Sequence, residues 1–161
     1  YPCAAGVAIS HDGRTLVVAN YSNDSISVFH GGYGNWSSVP DELDLRPGKS
    51  KSSPAQPGTP GGEYPFWVVV KGSGSSTTAY VSSVRDREID VVHLSGTPAV
   101  TARIHVLGQP NKMTLNAAES LLYVVEDQSD TIDVIDAAKN VIRERIPVIG
   151  PRPSYLPRWR I

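Results

Sequence analysis

MTLNAAESLLYVVEDQSDTIDVID, residues 113–136, decides how the whole chain is read. It opens on a short apolar strand and passes through a small polar turn. A second strand, LLYVVE, follows, then a polar loop and a third strand, Ile132–Asp136, in which apolar and acidic residues alternate. A period of two is the mark of a strand with one face buried. The same order recurs in GVAISHDGRTLVVANYSNDSISVF (residues 6–29) and in WVVVKGSGSSTTAYVSSVRDREIDVVHL (residues 67–94). A fourth strand is expected in each unit: Leu43–Leu45, Ala102–Val106 and Arg145–Ile149. No segment has a convincing period of 3.6. DAAKNVIRER comes nearest, at the turn between third and fourth strands.

Ser83 lies 63 residues after its counterpart Asn20, and Glu126 lies 43 after Ser83. The second spacing fits a four-stranded propeller blade of about 40–45 residues. The first is lengthened by RPGKSKSSPAQPGTPGGE (residues 46–63), in which 11 of 18 residues are Gly, Pro or Ser. Such a composition buries no apolar face and is expected to form a mobile surface loop within the fold. The expected architecture is all-β, a partial β-propeller of about three four-stranded blades. Residues 1–45 form the first blade, 46–63 the flexible insertion, 64–107 the second blade and 108–150 the third. Residues 151–161 are the truncated start of a further blade, or a tail. The core is expected to hold Val7, Ile9, Val17, Ile26, Val28, Val69, Val81, Ile89, Val91, Leu115, Leu122, Val124, Ile132 and Val134.

The 161 residues carry 15 basic and 16 acidic side chains, a balance without the electrostatic footprint of a nucleic-acid or anionic-membrane binder. No apolar run approaches the roughly 20 residues of a membrane-spanning helix. The single cysteine, Cys3, excludes an internal disulfide and a cysteine-built zinc site. Propellers close with about 4–8 blades. Three blades therefore imply either further blades in a longer parent chain or self-association that completes a ring.

HDGRTLVVANYSNDSISV and LLYVVEDQSDTIDVID resemble the YVTN-type bacterial β-propeller repeats. EYPFWVVVKG, AYVSSVRDREIDVV and GQPNKMTLN are similar to a subgroup in which such a propeller precedes an alkaline-phosphatase-like phosphoesterase domain. The resemblance covers about residues 1–150. It implies an exported, periplasmic or secreted bacterial protein whose phosphoesterase machinery lies outside this chain. The N-x-Ser sequons at Asn20, Asn23 and Asn35 are then chance.

Motifs for catalysis are absent from the sequence. Gly48-Lys49-Ser50 lacks the upstream glycine and the helix of a phosphate loop, and Gly72–Ser76 lies in a strand connection where a nucleophile elbow needs a helix. His11, His30, His93 and His105 have no metal-ligand spacing. No catalytic residue, metal or cofactor is assigned. The loops between second and third strands face the same way as the entries to the first strands. That geometry is expected to gather Asn20, Tyr64, Trp67, Arg85, Arg87, Lys112 and Glu126 around a channel mouth suited to a small polar or anionic ligand. Arg85 and Arg87, flanking Asp86, are candidates to grip a carboxylate or phosphate. The competing reading makes Asp24, Arg87 and Asp130, at matched loop positions, turn formers and ion-pair members. The expected function is a non-catalytic binding or scaffold module. A hydrolase or lactonase with its site at the mouth is the alternative, and a purely structural surface repeat is a third reading.

Overall fold

The computed structural model describes residues 3–48 and 60–148. Most of the Gly/Pro/Ser insertion and the whole 151–161 segment lie outside the described residues. Among the described residues, twelve strands form three four-stranded antiparallel sheets, each a meander in chain order. The first blade is β1 (Ala4–Ile9), β2 (Thr15–Asn20), β3 (Ser25–His30) and β4 (Asp41–Asp44). The second is β5 (Pro65–Lys71), β6 (Thr78–Ser83), β7 (Glu88–His93) and β8 (Ala99–His105). The third is β9 (Gln109–Leu115), β10 (Leu121–Asp127), β11 (Thr131–Asp136) and β12 (Val141–Pro147). The first strands β1, β5 and β9 lie side by side and form an inner wall.

The loop between second and third strands is built alike in every blade. Asp24, Arg87 and Asp130 adopt left-handed backbone, with φ of 50°, 53° and 53°. Their carbonyls accept the amide N–H of Leu45, Val106 and Val148, just past the fourth strand. Aspartate tolerates this conformation well and arginine less so, so Arg87 is held there by the turn.

Blades pack face to face. Val17, Ile26, Val28 and Leu45 meet Val68, Val70, Ala79, Val81 and Val92 between the first and second blades. Tyr80, Ile89, Val91 and Ile104 meet Met113, Leu122, Val124 and Ile135 between the second and third. Burial follows from this stacking: β2 alternates buried and half-buried residues, whereas in β7 every residue from Glu88 to Val92 is buried. Gly6 sits where β1 crosses β5. A Cβ there would lie 2.8 Å from the Phe66 carbonyl oxygen and 2.9 Å from Trp67 Cα, so this close approach requires glycine.

Three expectations are corrected. Val7 and Ile9 are exposed (62% and 51%), because β1 turns them to the face that a preceding blade would cover. Their counterparts Val68 and Val70 are buried against the first blade. Val69, Leu115 and Ile132 are only half-buried. The fourth strands begin earlier than expected, at Asp41, Ala99 and Val141. In DAAKNVIRER the turn is confined to Ala137–Asn140, closed by Asp136 Oδ1 accepting the N–H of Ala138 and Lys139, and Val141–Arg145 is strand. Finally, the end of the insertion is not a surface loop. Gly61 and Gly62 are buried, and the Gly62 N–H donates to Glu88 Oε1 (2.9 Å).

Candidate functional site

In each blade the pairing of first and second strands slips near the end of the second. The breaks lie between Ala4 and Gly6, between Pro65 and Val68, and opposite Val124/Glu126 in the third blade. A bulge re-aims the side chains it carries. The bulged residues are Ala5, then Phe66 and Trp67, then Asn111 and Lys112, all at one end of the inner wall.

A cavity of about 440 Å3 opens at that end, lined by Cys3, Ala5, Tyr21, Phe66, Val84, Pro110, Asn111 and Asp127. The lining repeats with the blades. Ala5, Phe66 and Asn111 occupy one equivalent position, and Tyr21, Val84 and Asp127, each next to the matched Asn20, Ser83 and Glu126, occupy another. Tyr21 meets the Phe66 ring edge-on (6.4 Å, 80°) and stacks on Tyr64 (5.1 Å). Asn111 Nδ2 donates to Asp127 Oδ2 at 2.9 Å. Thus two blades supply apolar and aromatic walls, and the third supplies an amide and a carboxylate.

Only some of the expected site residues come together. Tyr64 and Trp67 do not line the cavity: Tyr64 stacks on Tyr21, Trp67 lies against Phe66, and Trp67 lines a separate cavity with Val69 and Met113. Lys112 Nζ lies 5.5 Å from the centre of the Trp67 ring, and the Trp67 indole donates to the Met113 carbonyl. Arg85 is paired with Glu63 (3.2 Å) and lies 6.0 Å from the Tyr64 ring centre. Arg87 reaches Gln128 Oε1 at 3.4 Å, so the two arginines point to different partners. Asn20 turns into its own blade and donates to Ser25 and Ser27. Glu126 is buried (3% exposed) and accepts from the Gly108 amide (2.6 Å) and Ser129 Oγ. The reading from sequence missed Tyr21, Phe66 and Asp127 as neighbours. The available signal was positional, since each sits at the bulge or one residue past the matched Asn20, Ser83 and Glu126.

No protein-family model matches the sequence, and no curated protein matches it. Solved structures do. Hydrazine synthase of Kuenenia stuttgartiensis is 21% identical, with 94% of this chain covering 38% of that one at a TM-score of 0.71. A functionally unknown protein from Desulfotomaculum acetoxidans is 20% identical, with 91% of this chain covering 43% of that one at 0.64. Streptogramin B lyase is 16% identical, with 92% covering 41% at 0.63. These neighbours are β-propellers.

The chain is a partial β-propeller. It spans about two-fifths of the length of the structures it matches. Among its described residues, no helix is long and apolar enough to cross a membrane.

On the face that each of the second and third propeller blades turns to its predecessor sits a charged node. In the second, Arg103 bonds Glu88 (2.6 Å), Asp90 and the Leu45 carbonyl of the first blade. In the third, Arg145 Nε donates to Asp133 (3.1 Å), beside Glu126. The glutamates occupy opposite members of one cross-strand pair: Ser83 faces Glu88, and Glu126 faces Thr131. The sheet thus keeps a carboxylate in one place while the sequence moves it across two strands. The first blade, whose predecessor face is open, fills the node with Asn20, Ser25, Ser27 and Glu42.

Asp133, fully buried, is pushed up to about 6 by burial and then by the neighbouring Glu126 carboxylate. A carboxyl whose pKa is raised by folding penalises the folded state above that pKa, and the penalty is relieved as pH falls through it. Stability is therefore expected to rise on going from pH 7.5 to pH 5, with a contribution from Asp133 on the order of 1–3 kcal/mol. Asp133→Asn should flatten this slope in urea denaturation. An unchanged slope in that variant would remove Asp133 as its source.

Proposed function

We propose that the chain is a non-catalytic binding module whose ligand occupies the mouth cavity. The observation that carries this reading is the lining itself, drawn from equivalent positions of three blades and including the rings of Tyr21 and Phe66. Concave, mostly apolar sites with a few placed polar groups are the usual form of small-molecule pockets. Among the described cavity residues, Asn111 Nδ2 donates to Asp127 and the Tyr21 amide to the Cys3 carbonyl, and neither bond joins a nucleophile to a base. Arg85, Arg87 and Lys112 belong to the rim, and Asn20 and Glu126 support it from within the blades.

The same proposal includes further blades. Val7 and Ile9 stand where Val68 and Val70 stand in the covered second blade, so the natural occupant of that face is a preceding blade of the same geometry. Those blades belong to the parent chain or, by self-association, to a second copy. The YVTN-like wording of LLYVVEDQSDTIDVID and HDGRTLVVANYSNDSISV supports an exported bacterial parent, and EYPFWVVVKG, AYVSSVRDREIDVV and GQPNKMTLN support one that carries a phosphoesterase domain.

Cys3, exposed at the cavity, supplies the test. Saturation-transfer NMR with small aromatic and aliphatic acids and amines is expected to show binding that disappears once Cys3 is blocked with N-ethylmaleimide. Binding indifferent both to the block and to Tyr21→Ala would place the site elsewhere. Turnover of ester, lactone or phosphate substrates that falls in Arg85→Ala or Glu126→Ala would favour the hydrolase reading.

A further inference from the structure

We infer that the mouth cavity selects a small organic cation with an aromatic or apolar body, because two blades line it with rings and aliphatic groups and the third with a carboxylate. The inference rests on the binding-site reading above and departs from the small polar or anionic ligand expected from sequence.

The cations near the mouth are already engaged. Arg85 is paired with Glu63 and lies over Tyr64, Lys112 lies over Trp67, and Arg87 reaches Gln128. None of the three lines the cavity. The polar side chains that do line it are Cys3, Tyr21, Asn111 and Asp127, and Asp127 is the charged one among them. One of the two Asn111 amide N–H groups is spent on Asp127 Oδ2, which leaves one N–H donor against two acceptors, the Asn111 carbonyl and the charged Asp127 Oδ1. A ligand that satisfies acceptors must bring donors, and a carboxylate rewards a positive one. Tyr21 and Phe66, set at 80°, form an aromatic corner. Ring faces attract ammonium groups, by roughly 0.5–2 kcal/mol according to their exposure. An anion would meet the Asp127 charge.

The test compares benzylammonium with benzoate, which share a ring and differ in charge. Calorimetry on the full chain at pH 7 is expected to show benzylammonium binding at least tenfold tighter than benzoate. It should also slow modification of Cys3 by N-ethylmaleimide. Asp127→Asn, an isosteric change at an exposed residue, should lose at least tenfold in benzylammonium affinity while its far-UV circular dichroism stays that of the wild type. Benzoate binding as tightly as benzylammonium, or an Asp127→Asn variant with unchanged affinity, would overturn the cation preference and leave the mouth site standing. Failure of both probes to bind and to protect Cys3 would overturn the site and the preference together.

Discussion

Val124→Asp is expected to yield no soluble, cooperatively folded protein. Val124 is fully buried on β10, facing the second blade among Met113, Leu122 and Ile135. Losing its burial costs about 1.5–3 kcal/mol. An unpaired carboxylate at the same point adds a penalty on the order of 3–5 kcal/mol. The sum consumes much of the roughly 5–15 kcal/mol that holds an ordinary domain. Ile132→Asp, which looks equivalent in sequence, should be far milder. Ile132 is half-buried on the face the third blade turns away from the second, where an aspartate keeps access to water. Soluble yield, far-UV circular dichroism and a thermal melt of the two variants provide the comparison. A cooperatively melting Val124→Asp protein would mean that β10 is inserted with the wrong face inward.

Arg103→Met should lower stability by about 3–5 kcal/mol, the usual consequence of removing one partner from a buried ion pair. Glu88 and Asp90 are 1% and 0% exposed, and Asp90 Oδ2 already has no hydrogen-bond partner. Burial holds the Asp90 pKa well above its ordinary value, and Arg103 opposes that rise. Without the guanidinium the carboxyl rises further. The loss is then expected to be largest near pH 8 and to shrink toward pH 5, as the folded state takes up a proton. Adding Asp90→Asn should recover part of the loss at pH 8. Equal urea midpoints for wild type and Arg103→Met at pH 8 would show that the node contributes no net stability.

The strands were legible because their signal is local. Alternation in Ile132–Asp136 and the repeated LVVAN, AYVSS and LYVVE wording needed no knowledge of neighbours. What stayed hidden depends on packing between blades. Val7 reads as a core residue and is exposed, because its burial is decided by a blade that would precede β1. Glu126 reads as a channel-mouth residue, yet it is buried like Glu88, since each sits in a strand and finds a backbone N–H in the chain ahead of its blade. The mouth was half legible. The topology of strand entries brings Tyr64 and Trp67 only as far as the rings of Tyr21 and Phe66, whereas the pairing of Asn111 with Asp127 follows from a register slip that no propensity encodes.

The stacking of the sheets has a consequence for how stability grows along such a chain. Three blades share two interfaces, and a blade added at either end brings one more. The blade that closes a circle brings two. Its apolar faces are both covered at once, while its own strands cost no more to order than those of its neighbours. Closure is therefore the steepest single gain in the series, and an open arc is the form in which each blade is most separable from the rest.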